Sequence, residues 1–169
     1  MKCWYVFLIC ISFLSGCSSF KYYASPYPIT SPTALQWKSI DSISMKNEAD
    51  SGFILLRSHD ISYWGDLRQI TDVAIMVLSE EFHHRGIILT TNSPNILRLK
   101  MIYAGLAYSL ARYQCAMHLQ VEVGNSYKGV YYGYNVGFSL EKACDGVITK
   151  TVKSLLEDPK IMQVLLNEQ

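Results

Sequence analysis

The sequence predicts an α+β domain: an antiparallel or mixed sheet of about four to five strands packed on two main helices, in the order β-α-β-β-β-α. Three observations carry that prediction. Residues Tyr113 to Val123 alternate apolar and polar side chains with only Ala116 out of pattern, the period of a strand with one buried and one wet face. Ile70, Val73, Ala74, Val77, Leu78 and Phe82 recur at three- and four-residue steps, which places them on one face of a helix. Leu140, Cys144, Val147, Ile148, Thr151 and Leu155 repeat that spacing near the C-terminal end.

The chain begins with a segment that does not belong to this domain. Lys2 is a minimal positive region, and Trp4 to Leu14 is an apolar run of eleven residues. A bilayer-spanning helix needs roughly 17–25 residues, so the run has the length of a secretory signal instead. Leu14, Ser15, Gly16 and Cys17 then resemble the bacterial lipobox, in which small residues give a peptidase access and the cysteine thiol accepts diacylglycerol. The expected product loses residues 1–16 and carries covalent lipid, diacylglycerol and palmitate, on Cys17. No other cofactor is expected. Ser18, standing where an aspartate would signal retention in enteric bacteria, favours the outer membrane facing the periplasm.

Residues 17–34 hold Ser18, Ser19, Tyr22, Tyr23, Pro26, Pro28 and Pro32. Proline at that density resists regular structure, so this stretch is expected to be an extended tether lifting a single domain, residues 35–169, off the lipid surface. Leu35–Ser44 is compatible with one strand, and Phe53–Leu56 reads as a short buried strand. Asp66 is placed to cap the first helix, with Gln69 completing a capping-box pattern and Gly86 standing where a left-handed C-cap is wanted. Ile87–Thr90 is expected to be a strand closed by Asn92, Ser93 and Pro94.

In Ile96–Ala107, Leu97, Leu99 and Met101 alternate with Arg98 and Lys100, which predicts a strand with a bulge at Gly105. A helix over 96–114 is the second choice there. Gly124, Asn125 and Ser126 predict a hairpin turn that returns through Tyr127–Val136. Gly129 and Gly133 leave gaps on that returning strand. Ser139 is placed to cap the second helix, with Glu141 in its favourable first turn. Asp158 and Pro159 end it and start a short last helix bearing Ile161, Val164 and Leu165.

Charge excludes one class of partner. The chain has 15 Lys and Arg against 14 Asp and Glu, and loss of Lys2 with the signal leaves them equal. Such a balance gives no reason to expect nucleic-acid binding, which needs a concentrated positive surface. Of the five cysteines, Cys3 and Cys10 leave with the signal and Cys17 is lipidated. Cys115 lies on the apolar face of its strand and Cys144 on the apolar stripe of its helix. Both thiols point inward, and in an oxidising compartment a disulfide is the favoured state, with two buried free thiols the alternative.

Three stretches carry a family resemblance: Val73–Gly86 with its ending Leu78-Ser-Glu-Glu-Phe-His-His-Arg-Gly86, the hairpin Leu119–Tyr127, and Ala143–Ile148 running to Pro159. Behind a lipobox, this order of elements resembles the small YajG-like lipoproteins of Gram-negative envelopes over residues 50–166. The cysteine pair and the tyrosines at 131–134 depart from that pattern. The resemblance implies architecture and envelope location; it supplies no functional residues.

Candidate chemistry is sparse. His83 and His84 are adjacent on a helix and diverge by about 100°, unlike the i,i+4 pair of a zinc helix; they suit the last carbonyls of a helix C-terminus better. No metal site is expected. His118 is on a wet strand face. Ser58, His59 and Asp60 are neighbours in sequence, which rarely face one another as a triad, and no nucleophile elbow is present. Glu80 and Glu81 diverge on their helix and read as a solvated face. No catalytic residue is assigned, and the chain is expected not to be an enzyme. The tyrosines stand out: Tyr127, Tyr131, Tyr132 and Tyr134 cluster on a candidate edge strand, either as an interface or as caps on the rim of the core. An edge would admit a partner strand. The expected role is a non-enzymatic adaptor docking an envelope protein. The alternative is a small-ligand or glycan-binding module using the tyrosine-flanked glycine gaps.

Overall fold

The period-two stretches build the larger of two sheets. The computed structural model describes residues 19–29, 40, 42–58 and 61–167. Leu14, Ser15, Gly16 and Cys17 lie outside the described residues, as do His59, Asp60 and most of the 35–41 stretch. Among the described residues, eight strands and three helices follow in the order β1 (Ser19–Lys21), β2 (Ser42–Asn47), β3 (Phe53–Ser58), β4 (Ile61–Asp66), α1 (Leu67–His84), β5 (Ile88–Leu89), β6 (Ile96–Ser109), β7 (Arg112–Val123), β8 (Tyr127–Gly137), α2 (Leu140–Leu156) and α3 (Pro159–Asn167). The fold class is α+β, as the periodicities predict.

The five-stranded sheet has the order β5-β2-β6-β7-β8. β6, β7 and β8 form an antiparallel meander, whereas β2 runs parallel to both β5 and β6. Leu97, Leu99 and Met101 of β6 are fully buried, together with Cys115, Met117, Leu119, Val121 and Val123 of β7. The inner stripes of α1 and α2 join them in one core. The region 96–109 is therefore strand, because its apolar residues repeat at two and not at three or four.

The bulge is not at Gly105. Register shifts between Met101 and Tyr103, and Gly105 pairs in step with Ala116. At the shift, the Met101 N–H donates to Thr71 Oγ1 of α1 at 2.9 Å, and that hydroxyl donates to Leu67 O. A buried helix hydroxyl thus satisfies the amide at the break in the ladder, as buried backbone donors require. Gly105 serves another need. The Tyr103 ring lies over it, and an added Cβ would collide with the Tyr103 hydroxyl. The turn from β6 to β7 is made by Leu110 and Ala111, with φ of 52° and 59°; two successive left-handed residues are the geometry of a tight hairpin.

Helix ends follow the predicted caps with one exchange. Asp66 accepts from the Arg68 N–H, Ser139 accepts from the Lys142 N–H, and Gly86 has φ of 78°. Gln69 does not close a capping box. Its amide instead donates to Ala24 O and accepts from Ala24 N–H.

That exchange reflects a larger correction. Residues 19–29, expected within a free tether, are docked on the domain. β1 pairs in parallel with β4, and β4 pairs antiparallel with β3, giving a second sheet of order β1-β4-β3. Tyr22 is 3% exposed, and its hydroxyl donates to Asp145 Oδ1 of α2 at 2.6 Å. The Ser25 N–H reaches the same oxygen. Burial pushes the Tyr22 phenol far up, with the bond to Asp145 adding to it, and burial also raises the Asp145 carboxyl. The prolines prevent regular structure at 26 and 28 but do not prevent the tyrosine before them from entering the core. A hydrogen bond with Tyr113 of β7, helped by burial, pushes the Tyr63 phenol of β4 up to about 12 and marks where the small sheet meets the large one.

Candidate functional site

β8 is the last strand of its sheet, so the predicted edge is present. Its four tyrosines do not form one cluster. Side chains alternate across a strand, and the odd-numbered pair and the even-numbered pair stand on opposite faces.

Tyr127 and Tyr131 point toward the helices. Their hydroxyls lie 2.9 Å apart, and both donate to Asp158 Oδ2, at 3.0 and 2.7 Å. The other carboxylate oxygen, Oδ1, accepts from the Lys160 N–H and caps α3. Burial raises the Asp158 carboxyl, but the bonds from Tyr131, the Lys160 amide and Tyr127 together outweigh it, and its pKa falls below the ordinary carboxylate value. This arrangement clamps β8 to the start of α3. It is structural, and it fulfils the rim-cap alternative for two of the four residues.

The glycine gaps are closed on this same face. Tyr127 lies over Gly129, where a Cβ would meet its ring at 3.0 Å. A Cβ on Gly133 would collide with Thr151 Oγ1 and stand 2.7 Å from Val147 O, and one on Gly137 would stand 2.7 Å from the Ala143 amide. The gap at Gly129 is therefore filled by the Tyr127 ring, and those at Gly133 and Gly137 by α2, not by a ligand. Cys115 and Cys144 are joined by a disulfide between β7 and α2, with Cα atoms 5.2 Å apart. Both are fully buried.

Tyr132 and Tyr134 point the other way and are 66% and 54% exposed. Cross-strand register places Tyr103, His118 and Tyr132 in one row. Ring centroids in that row are 4.6 Å apart on each side of His118. The next row holds Gly105, Ala116 and Tyr134, where small neighbours leave the Tyr134 ring uncovered. Further along, Arg112 stacks on Phe138, which is 75% exposed. The opposite end of this face is charged: Arg98, Glu122 and Lys128 form a row, with Lys128 2.7 Å from Glu122. The sheet thus presents an aromatic surface with charged ends. The strand edge itself is partly guarded, because Lys150 of α2 donates to Tyr134 O and Asn135 Oδ1.

Other candidates are dispersed. His83 and His84 occupy the last turn of α1 and are exposed. Glu80 is exposed, but Glu81 is not on a solvated face: it is 9% exposed and paired with Arg85 at 3.4 Å. Among the described residues, no three His, Cys, Asp or Glu side chains are grouped to hold a metal ion. No described helix is long and apolar enough to cross a membrane. A cleft of about 420 Å³ lies between Tyr27–Ile29 and α2, with Lys142, Lys150 and Lys153 on its wall.

The signal that splits the tyrosines is present in the sequence, since 127 and 131 are odd and 132 and 134 even on a strand that periodicity predicts. Tyr103 and His118 needed the register. No protein-family model matches the chain, and no curated protein matches its sequence. Among solved structures, the chain is similar to a crystal structure of a Xanthomonas campestris protein described as DUF330, with a TM-score of 0.49 and 12% identity, covering 88% of this chain and 95% of that one.

Proposed function

We propose that this protein is a lipid-anchored, non-enzymatic adaptor of a bacterial envelope, moored through Cys17 and docking a protein partner on the outer face of β6–β8. The observation that carries this reading is the aromatic surface beside the β8 edge, with Tyr132 and Tyr134 exposed and Tyr103 and His118 stacked alongside. Tyrosine offers a large apolar body with a polar tip, the composition found at binding hot spots. The lipobox and short apolar run support the anchor, Ser18 supports the outer membrane, and the resemblance to YajG-like lipoproteins supports an envelope location facing the periplasm.

A photo-reactive side chain at position 132, irradiated in intact cells, tests the adaptor. The same probe at position 76 is the control, because Met76 is 55% exposed on α1, away from the sheet's outer face. A discrete protein adduct from position 132 and none from 76 is expected. Lipid alone at position 132, or the same products from both positions, refutes docking on this face. The small-ligand alternative moves from the closed glycine gaps to the lysine-walled cleft, whose volume falls in the range of ligand sites. Calorimetry with anionic envelope glycans, compared between the native chain and Lys142→Ala, distinguishes that reading.

A further inference from the structure

We infer that the domain is seated directly on the bilayer through the outer face of the β1–β4 pair, with Lys21, Tyr23 and Trp64 in the headgroup layer. This rests on the lipid-anchor reading of Cys17. Only Ser18 separates Cys17 from β1, and β1 is held by three residues of register to β4: Ser19 to Ser62, Phe20 to Tyr63 and Lys21 to Trp64. Two residue steps span at most about 7 Å. The headgroup layer on each side of a bilayer is about 5–8 Å deep, from the difference between its full and hydrocarbon thicknesses. An acylated Cys17 therefore keeps the start of β1 within that layer or at its outer margin.

The side chains beside this attachment fit the place. Lys21 and Trp64 are register partners on the face of the small sheet turned from Tyr63. Tyr23, two residues on from Lys21, has the Lys21 ammonium 5.0 Å from its ring centre. Trp64 is 43% exposed and Tyr23 62%. Tryptophan and tyrosine collect at membrane–water interfaces because their rings are amphipathic, and lysine can lay its stem on apolar surface while its ammonium stays wet. Exposed aromatic residues at this location would otherwise be an apolar patch on a soluble surface. The docked β1 converts the lipid from a distant mooring into a fixed orientation.

The test uses the mature lipoprotein bearing Trp37→Phe, which leaves Trp64 as its tryptophan once the signal is removed, reconstituted in phosphatidylethanolamine–phosphatidylglycerol vesicles. With bromines placed shallow in the acyl chains, Trp64 emission is expected to fall at least about twofold, and less with deep bromines, as for an interfacial ring. Mass spectrometry of the same sample reports the acyl groups on Cys17. Full acyl mass with unquenched Trp64 overturns the seating and leaves the anchor standing; absence of acyl mass overturns both. Should Trp37→Phe fail to fold, a nitroxide on Ser62→Cys in the native background measures the depth of the same strand. Its relaxation should respond to a membrane-soluble agent over an aqueous one, and the opposite preference overturns the seating.

Discussion

Replacing Cys115 and Cys144 together by alanine should lower stability by about 4–5 kcal/mol. The bridge closes a loop of sequence separation 29, for which the chain-entropy relation gives about 3.6 kcal/mol at 25 °C. Both sulfurs sit in the core between β7 and α2 with no exposure, so their removal also empties space, adding of order 1 kcal/mol. For a domain near 150 residues, each kcal/mol corresponds to about 2–4 °C in Tm. The double variant should therefore melt about 8–20 °C lower, read by far-ultraviolet circular dichroism. The same burial makes a kinetic statement. A thiol reductant can reach the bridge only when the core opens, so the rate of reduction in native buffer should follow the free energy of global opening. A Tm within about 3 °C of the native chain, or rapid reduction without unfolding, would refute the account of a buried, stabilising clamp.

Two further predictions probe how β8 is held. Gly133→Ala puts a methyl against Thr151 Oγ1 and Val147 O, and overpacking at a helix–strand contact should cost about 1–3 kcal/mol; a urea midpoint unchanged from native would show that α2 yields freely. Asp158→Asn keeps the cap on α3 but loses the charge that accepts from Tyr127 and Tyr131. Because the folded state holds this carboxyl below its ordinary pKa, its contribution is complete above the unfolded value of about 3.9 and is lost as pH falls through the folded value. The variant should be about 1–2 kcal/mol less stable at pH 7, with the gap closing in acid as the native carboxyl protonates, below the pH at which an unfolded carboxyl would. A gap that persists unchanged in acid counts against the charged clamp.

How much of the fold is legible in the sequence depends on whether a pattern is local. Alternation over Tyr113–Val123 and helical spacing over Ile70–Phe82 and Leu140–Leu155 each set one buried face, and those faces aim Cys115 and Cys144 at each other. The caps at Asp66, Ser139 and Asp158 are legible because a cap binds backbone within three residues. The break in register at Met101 is not, because the hydroxyl that satisfies the freed amide comes from Thr71, thirty residues away. The turn at Leu110 and Ala111 carries no glycine or asparagine to announce its left-handed backbone. β4 has no periodic signature because Trp64 and Tyr63 present aromatic bulk to both faces of a six-residue strand.

The sequence by itself determined the class of fold, the inward direction of the two core cysteines and the presence of a strand that could stand at an edge, because periodicity specifies which side chains must leave water together; that the two sulfurs bond is decided by the structure. Only the tertiary structure decided that residues 19–29 are part of the domain. Tyr22 finds its partner in Asp145, and Gln69 finds Ala24, across separations that no local pattern encodes. The same holds for the aromatic row of Tyr103, His118 and Tyr132. Three residues from three strands become neighbours only when register is fixed, and register is set by the packing of the opposite face.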